Sequence, residues 1–87
     1  MNWEIFGLVA GAITVSGFLP QIIKGYKTKS LNDLSYLLNT LICVGMLMWI
    51  IYGIVFGSLS IIVANVVGVI LNLILLIMKY NYSEKKN

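Results

Sequence analysis

Residues 34–78 read LSYLLNTLICVGMLMWIIYGIVFGSLSIIVANVVGVILNLILLIM and contain no Asp, Glu, Lys, Arg or His. A continuous helix of this length would reach roughly 68 Å, more than twice the hydrocarbon core of a bilayer, so the segment must fold back once. Gly57, Ser58 and Ser60 are the turn-forming residues near its middle. A reversal there leaves two halves that are each long enough to cross a membrane.

A second charge-free stretch, residues 5–23, lies between Glu4 and Lys24 and is long enough for one further span. Hydrophobic residues make up 60% of the chain and charged residues 10%, whereas soluble domains average about 45–50% and about 25%. The sequence therefore predicts an all-α integral membrane protein built as a three-helix bundle. We expect one domain over residues 1–87, with helices at about 3–24, 34–56 and 59–80 and a short tail at 81–87.

The lysines indicate how the chain is oriented. With three spans, the loop after the first helix and the C-terminal tail share one side of the membrane. All six lysines fall on that side: Lys24, Lys27, Lys29, Lys79, Lys85 and Lys86. By the positive-inside rule that side is cytoplasmic and the N-terminus lies outside, in the cell (inner) membrane. Because the lysines flank spans and form no basic stripe, we expect no nucleic-acid partner.

The N-terminus lacks the basic region and the cleavage site of a signal peptide, so the first helix is expected to remain in the mature protein. The titratable residues argue against catalysis. The chain has no histidine, and its carboxylates, Glu4, Asp33 and Glu84, lie at predicted helix ends. We therefore expect no metal site, no cofactor and no enzyme activity. The single cysteine, Cys43, is expected to be buried and inert.

Trp49 and Asn65 are the candidate binding residues. Trp49 lies seven residues before Phe56, and Asn65 lies six residues after Leu59, so both are about 9–10 Å below the shared outer turn. An amide suits sugar hydroxyls and an indole suits the apolar face of a pyranose, which favours a neutral, polyhydroxylated ligand. Hydrogen bonding between helices by Asn65 and simple packing by Trp49 are the open alternatives.

Gly68 and Asn72 extend a stripe of polar and small residues along the third helix toward the cytoplasm. Such a stripe lines either a water-filled path or a close contact between helices. The spacing does not choose between these two roles.

The pair Pro20-Gln21 interrupts the first apolar stretch. Proline removes a backbone donor and clashes with the carbonyl four residues earlier, that of Ser16, at about 3 kcal/mol in a soluble helix. A kink is expected, with a hydroxyl or a water serving the freed carbonyl. The kink is either a static bend or a hinge.

Three packed helices enclose no lumen, so a solute path has to run between chains. A twofold axis along the membrane normal would bring two copies of Trp49 and Asn65 to one level. The axis must make the chains parallel because the lysine bias gives each chain one orientation. We expect a parallel homodimer of six helices.

Three features together resemble the SemiSWEET sugar transporters, the half-sized prokaryotic relatives of SWEETs in the PQ-loop superfamily. They are Pro20-Gln21 late in the first helix, the run Trp49-Ile50-Ile51-Tyr52-Gly53 in the second, and Ala64-Asn65 in the third. The resemblance covers residues 3–80. It implies a parallel homodimer that moves mono- or disaccharides, of the glucose or sucrose class, passively by alternating access.

The same resemblance implies roles for individual residues. Trp49 would stack on sugar and Asn65 would bond to it, while Pro20 would act as a hinge with Gln21 as its motif partner. Tyr52 would belong to the outer gate.

This chain departs from the family at the outer gate. Phe56 and Ser58 stand where the family places an arginine and an aspartate, so we expect an aromatic closure by Tyr52 and Phe56. Since ion coupling usually needs a charged group within the membrane, an uncoupled uniporter is expected. A carrier of another neutral solute, such as an amino acid, and a non-transporting interaction subunit are the alternatives.

Overall fold

The computed structural model describes residues 2–85, which form four helices: α1 (Trp3–Ser16), α2 (Phe18–Thr28), α3 (Tyr36–Phe56) and α4 (Leu59–Lys85). α1 and α2 meet at Gly17 and together form the span Trp3–Thr28. With α3 and the Leu59–Tyr82 part of α4, the described residues contain three helices able to cross a membrane, and no strand. The predicted all-α, three-span fold is confirmed.

The helices extend further at the lysine-rich end than the sequence indicated. α2 continues past Lys24 to Thr28, and α4 continues past Tyr80 to Lys85, through most of the expected tail. Hydropathy marks where apolar side chains stop, whereas helical hydrogen bonding persists into the polar region beyond them. Lys27 lies in the last turn of α2, where a cation interacts favourably with the helix dipole.

The reversal between α3 and α4 is made by Gly57 and Ser58. Gly57 adopts a left-handed φ of 70°, a conformation that glycine reaches without a Cβ clash. The Oγ of Ser58 accepts a hydrogen bond from the backbone N–H of Ile61 at 3.4 Å, which caps the start of α4. α3 and α4 therefore run antiparallel as a hairpin.

The third span lies between the other two. α1, α2 and α3 all pack against α4, while α1 and α3 do not pack against each other. The principal extents are 51 × 21 × 14 Å, so the three spans form an elongated, somewhat flattened bundle. Within this bundle α4 lies between the first span and the second.

Small residues bring α1 close to α4. A Cβ placed on Gly7 would lie 2.8 Å from the Cβ of Ser60, and one on Gly11 would overlap the side chain of Ala64. Glycines at this spacing allow close approach of helices in membranes. At the same end, the carboxylate of Glu4 accepts a hydrogen bond from the backbone N–H of Ser60 in the first turn of α4. An anion there is favoured by the helix dipole.

The loop between α2 and α3 is fastened at the opposite, lysine-rich end. Leu31 is buried, and a Cβ on Gly25 of α2 would lie 2.7 Å from its Cδ2. The Nζ of Lys79 in α4 donates to the carbonyl of Leu31 at 2.9 Å. Lys24 and Asp33 form an ion pair at 3.4 Å, but both side chains are largely exposed, so it adds little stability. Leu31 and Lys79 thus hold the end of α2 against α4.

Candidate functional site

Three aromatic side chains follow one another along α3. The rings of Trp49 and Tyr52 meet edge to face, with centroids 5.3 Å apart and planes at 79°. The rings of Tyr52 and Phe56 lie 4.7 Å apart with planes at 38°. All three are substantially exposed, with 53% for Trp49. Since these rings contact each other on one side of α3, the indole of Trp49 is held in place while much of its surface stays free.

A concavity of about 290 Å³ opens beside the indole. It is lined by Gly45, Met48, Trp49 and Tyr52, and its walls are mainly apolar. Apart from its chain neighbours and the nearby backbone of α3, no atom lies within 4 Å of the position that a Cβ would occupy on Gly45. The surface next to Trp49 is therefore open space, with an aromatic wall and no charged side chain among its lining residues.

Asn65 is half-buried on α4. Its Nδ2 donates to the carbonyl of Ile61, one turn earlier in the same helix, at 2.8 Å. Among the described residues its side chain bonds to no other helix, so the alternative role of joining helices does not apply to Asn65 in this structure. Its Oδ1 and second N–H are left available for a ligand.

The packing of α3 on α4 fixes the level of Asn65. Gly68 faces Met46, and Ile61 faces Gly53. The helices are antiparallel, so residue numbers rise along one helix as they fall along the other. Three residues from the Gly68–Met46 pair toward the turn lie residues 65 and 49. Four residues from the Ile61–Gly53 pair away from the turn lie the same two residues. This pairing places Trp49 and Asn65 at similar distances from the turn; that they share one ligand site stays a prediction.

Asn72 and Gly68 form close contacts between helices. Asn72 is fully buried, and its Nδ2 donates to the backbone carbonyl of Asn39 at 2.7 Å. The Nδ2 of Asn39 donates in return to the Oδ1 of Asn72, also at 2.7 Å. A Cβ on Gly68 would lie 2.8 Å from the Sδ of Met46. The sequence left open whether Gly68 and Asn72 line a water-filled path or form a close contact between helices. In this structure both residues form a close contact.

α1 and α2 meet at Gly17, three residues before Pro20, and the backbone of Gly17 stays right-handed with φ −64° and ψ −21°. Pro20 therefore lies in the first turn of α2, where a proline is tolerated. The hydroxyls of Thr14 and Ser16 bond to carbonyls further back, those of Ala10 and Ile13. Neither hydroxyl bonds to the carbonyl of Ser16 that Pro20 leaves free, so a hydroxyl does not serve it here.

Gln21 acts where α1 and α2 meet. Its Nε2 donates to the carbonyl of Gly17 at 3.2 Å, so the glutamine side chain adds a hydrogen bond at the junction of α1 and α2. Gln21 also lines a concavity of about 180 Å³ with Lys24, Leu31, Asp33 and Leu34. The pair Pro20-Gln21 is thus placed where α2 departs from α1, on the lysine-rich side of Gly17.

The chain has aromatic rings and serines at the end where α3 meets α4. Phe56 is 70% exposed beyond Tyr52. Ser58 caps α4, and its Oγ lies 3.3 Å from the Oγ of Ser60. The carboxylate found at this end is that of Glu4, which is engaged with the Ser60 backbone. Tyr52 and Phe56 are the aromatic side chains exposed on α3 at this end.

A family model for "Sugar efflux transporter for intercellular exchange" matches residues 4–87. The Sugar transporter SemiSWEET of Leptospira biflexa is 36% identical over 93% of this chain and 93% of its own length. The chain belongs to the SemiSWEET family. The SemiSWEET of Bradyrhizobium diazoefficiens is 33% identical over 91% of this chain and 92% of its own.

The fold agrees with that assignment. A crystal structure of a bacterial homologue of SWEET transporters superposes on this SemiSWEET chain with a TM-score of 0.88 at 37% identity. The match covers 91% of this chain and 95% of the other. The structural match therefore extends over nearly the whole chain and is not confined to one helix or one hairpin.

Three features were missed by the sequence analysis: the Asn39–Asn72 pair, the bond from Glu4 to Ser60, and the open space at Gly45. Each depends on which helices are neighbours, which hydropathy does not encode. A signal existed for the first, since two asparagines inside apolar helices are costly unless they are paired.

Proposed function

We propose that the chain transports neutral mono- or disaccharides of the glucose or sucrose class, without ion coupling, by alternating access in a parallel homodimer. The observation that carries the proposal is the placement of Trp49 and Asn65. An exposed indole and an amide with unused hydrogen-bonding groups lie at similar distances from the turn between α3 and α4. Stacking on the indole and bonding to the amide together suit a pyranose. Membership in a family of sugar transporters supports the same substrate class.

The need for a second chain follows from the shape of the first. Three packed spans enclose no path, and the surface with Trp49 and Gly45 is uncovered. A copy related by a twofold axis along the membrane normal would cover it and place a second site opposite. The described lysines all lie at one end of the bundle, which favours parallel chains with the N-terminus outside.

Uncoupled transport of a neutral solute is supported by the absence of charge along the path. Residues 34–78, which contain all of α3 and most of α4, carry no Asp, Glu, Lys, Arg or His. Proton and ion coupling in membranes generally relies on such groups. A charged substrate would find no counter-charge within residues 34–78.

The moving parts are proposed on the same grounds. α1 is held to α4 along its length through Gly7, Gly11 and Glu4, whereas α2 is fastened to α4 at its far end through the loop residue Leu31. Motion about Gly17 and Pro20 would open the lysine-rich end while α1 stays in place, with Gln21 bonding across the junction. Tyr52 and Phe56 would close the other end against their copies in the second chain.

The proposal is tested by flux measurements on variants. Purified protein in liposomes should take up labelled glucose or sucrose, and both Trp49→Ala and Asn65→Ala should lower uptake to the level of empty liposomes. Trp3→Ala is the matched control, because Trp3 is exposed at the start of α1 and distant in sequence from the site; it should retain uptake. Inhibition by small amino acids but not by sugars would assign the site to another solute.

A further inference from the structure

The side chain of Lys79 contacts two other elements at the lysine-rich end. Its Nζ donates to the backbone carbonyl of Leu31, in the loop between α2 and α3, at 2.9 Å. The same Nζ lies 5.0 Å from the ring centroid of Tyr36, at the start of α3, which is within the range of a cation–π contact. Lys79 itself belongs to α4 and is half-buried. One ammonium group therefore holds the loop against both helices of the hairpin.

Leu31 packs on α2. Its side chain is buried, and it fills the place where a Cβ on Gly25 would lie. Its carbonyl also accepts a hydrogen bond from the backbone N–H of Leu34 at 3.0 Å, so the loop turns around the same oxygen. A movement of α2 away from α4 would carry Leu31 with it. The bond from Lys79 to Leu31 would then have to break.

Other lysines described at this end make no equivalent bond. Lys24 forms its ion pair, at 3.4 Å, with the loop that follows its own helix. The Nζ of Lys29 lies 3.9 Å from the ring centroid of Tyr26 in α2 but 5.7 Å from that of Tyr82 in α4, near the limit of a cation–π contact. Among the side chains that the structure describes, that of Lys79 makes the hydrogen bond between α4 and the segment formed by α2 and its loop.

We propose that Lys79 is a positioning residue for transport: it keeps the lysine-rich end closed, and that end opens only when the bond from Lys79 to Leu31 breaks. This inference rests on the proposed function, because it takes movement of α2 about Gly17 and Pro20 as the opening step. A hydrogen bond from a charged donor is stronger than one between neutral groups. Removing the ammonium should therefore increase the fraction of protein that is open at this end.

The experiment measures opening by the modification rate of one introduced cysteine. Leu34 is half-buried and lines the concavity of about 180 Å³ at the lysine-rich end, so Leu34→Cys reports access to that end. The parent protein also carries Cys43→Ala, which removes the single native thiol. A charged methanethiosulfonate reagent is added to protein in lipid nanodiscs, which leave both ends accessible.

The variants separate the bond from the charge. Lys79→Met keeps an apolar stem without the ammonium and should raise the modification rate about three- to tenfold. Lys79→Arg should stay within about twofold of the parent, because a guanidinium can both donate to the carbonyl and stack on the ring. Lys27→Met is the matched control. It removes the same charge from the same end, at an exposed residue in the last turn of α2, and should leave the rate unchanged.

A cysteine at the opposite end distinguishes opening from damage to the fold. Phe56→Cys replaces an exposed residue there, and its modification rate should not rise in Lys79→Met. Rates that rise at both ends, or a rate at position 34 that Lys79→Met leaves unchanged, would overturn the inference. If Lys79→Met forms no stable protein, Tyr36→Leu decides: it should raise the rate at position 34 about twofold, and no rise would overturn the inference. Modification needs no sugar, so a wild type that takes up no sugar would overturn the proposed function and not the role of Lys79 in closure.

Discussion

Replacing Asn72 with alanine should lower the free energy of unfolding by about 2–4 kcal/mol. The substitution removes two hydrogen bonds of 2.7 Å between α3 and α4. Interhelical bonds in membrane proteins average about 0.6 kcal/mol and reach about 1.7. The amide of Asn39 would also lose its partner in a buried site, which costs about 1–3 kcal/mol more.

A double-mutant cycle separates the pair from simple loss of packing. Asn39→Leu and Asn72→Leu should each destabilise, because each leaves one amide unsatisfied. The double variant leaves none, so it should cost less than the two single variants added together, with a coupling energy of about 1–3 kcal/mol. Unfolding would be followed by far-ultraviolet circular dichroism during denaturation in detergent micelles.

Asn65→Ala is the matched control for this cycle. It removes the same side chain from the same helix, but the bond that it breaks joins Asn65 only to Ile61 of its own helix. Its effect on stability should be below about 1 kcal/mol. Two results would show that the pair does not stabilise the hairpin as described. One is that the losses of unfolding free energy in Asn39→Leu and Asn72→Leu simply add in the double variant. The other is that Asn65→Ala loses as much as Asn72→Ala.

Three further predictions concern the hinge, the packing of α1 and the indole. Pro20→Ala should leave the protein folded but slow sugar uptake, because an uninterrupted helix bends less readily; an unchanged rate would make the break static. Gly11→Val should destabilise by about 1–3 kcal/mol in thermal scans, since its side chain would overlap Ala64; no loss would contradict that packing. In Trp3→Phe protein Trp49 is the remaining tryptophan, and its emission should change saturably with sugar; a flat titration would remove the stacking role.

Charge-free length was sufficient to predict the three spans and the hairpin. The spans follow from residues 5–23 and 34–78, because a helix of known rise must cross or reverse within a bilayer of known thickness. A break near Pro20 was also predictable, since a proline does not continue the bonding pattern of a helix. That α1 and α2 meet at Gly17 was not predictable. With the boundary three residues before Pro20, the proline lies in the first turn of α2, where it is tolerated.

Lateral neighbours were not predictable, and this limits the site most. Counting from the shared turn puts Asn39 about 25 Å deep and Asn72 about 20 Å deep, so a count alone does not pair them, yet they bond reciprocally. The open space at Gly45 depends on which face of α3 is left uncovered by α4.

Sugar equilibration in liposomes tests the central claim most directly. Labelled glucose and sucrose are supplied outside liposomes that contain the wild-type protein, with and without an imposed proton or sodium gradient. Internal sugar is followed to its plateau. The account predicts that internal and external concentrations become equal, at the same plateau under every gradient. A plateau at the empty-liposome level, or accumulation above the external concentration when a gradient is imposed, would contradict it.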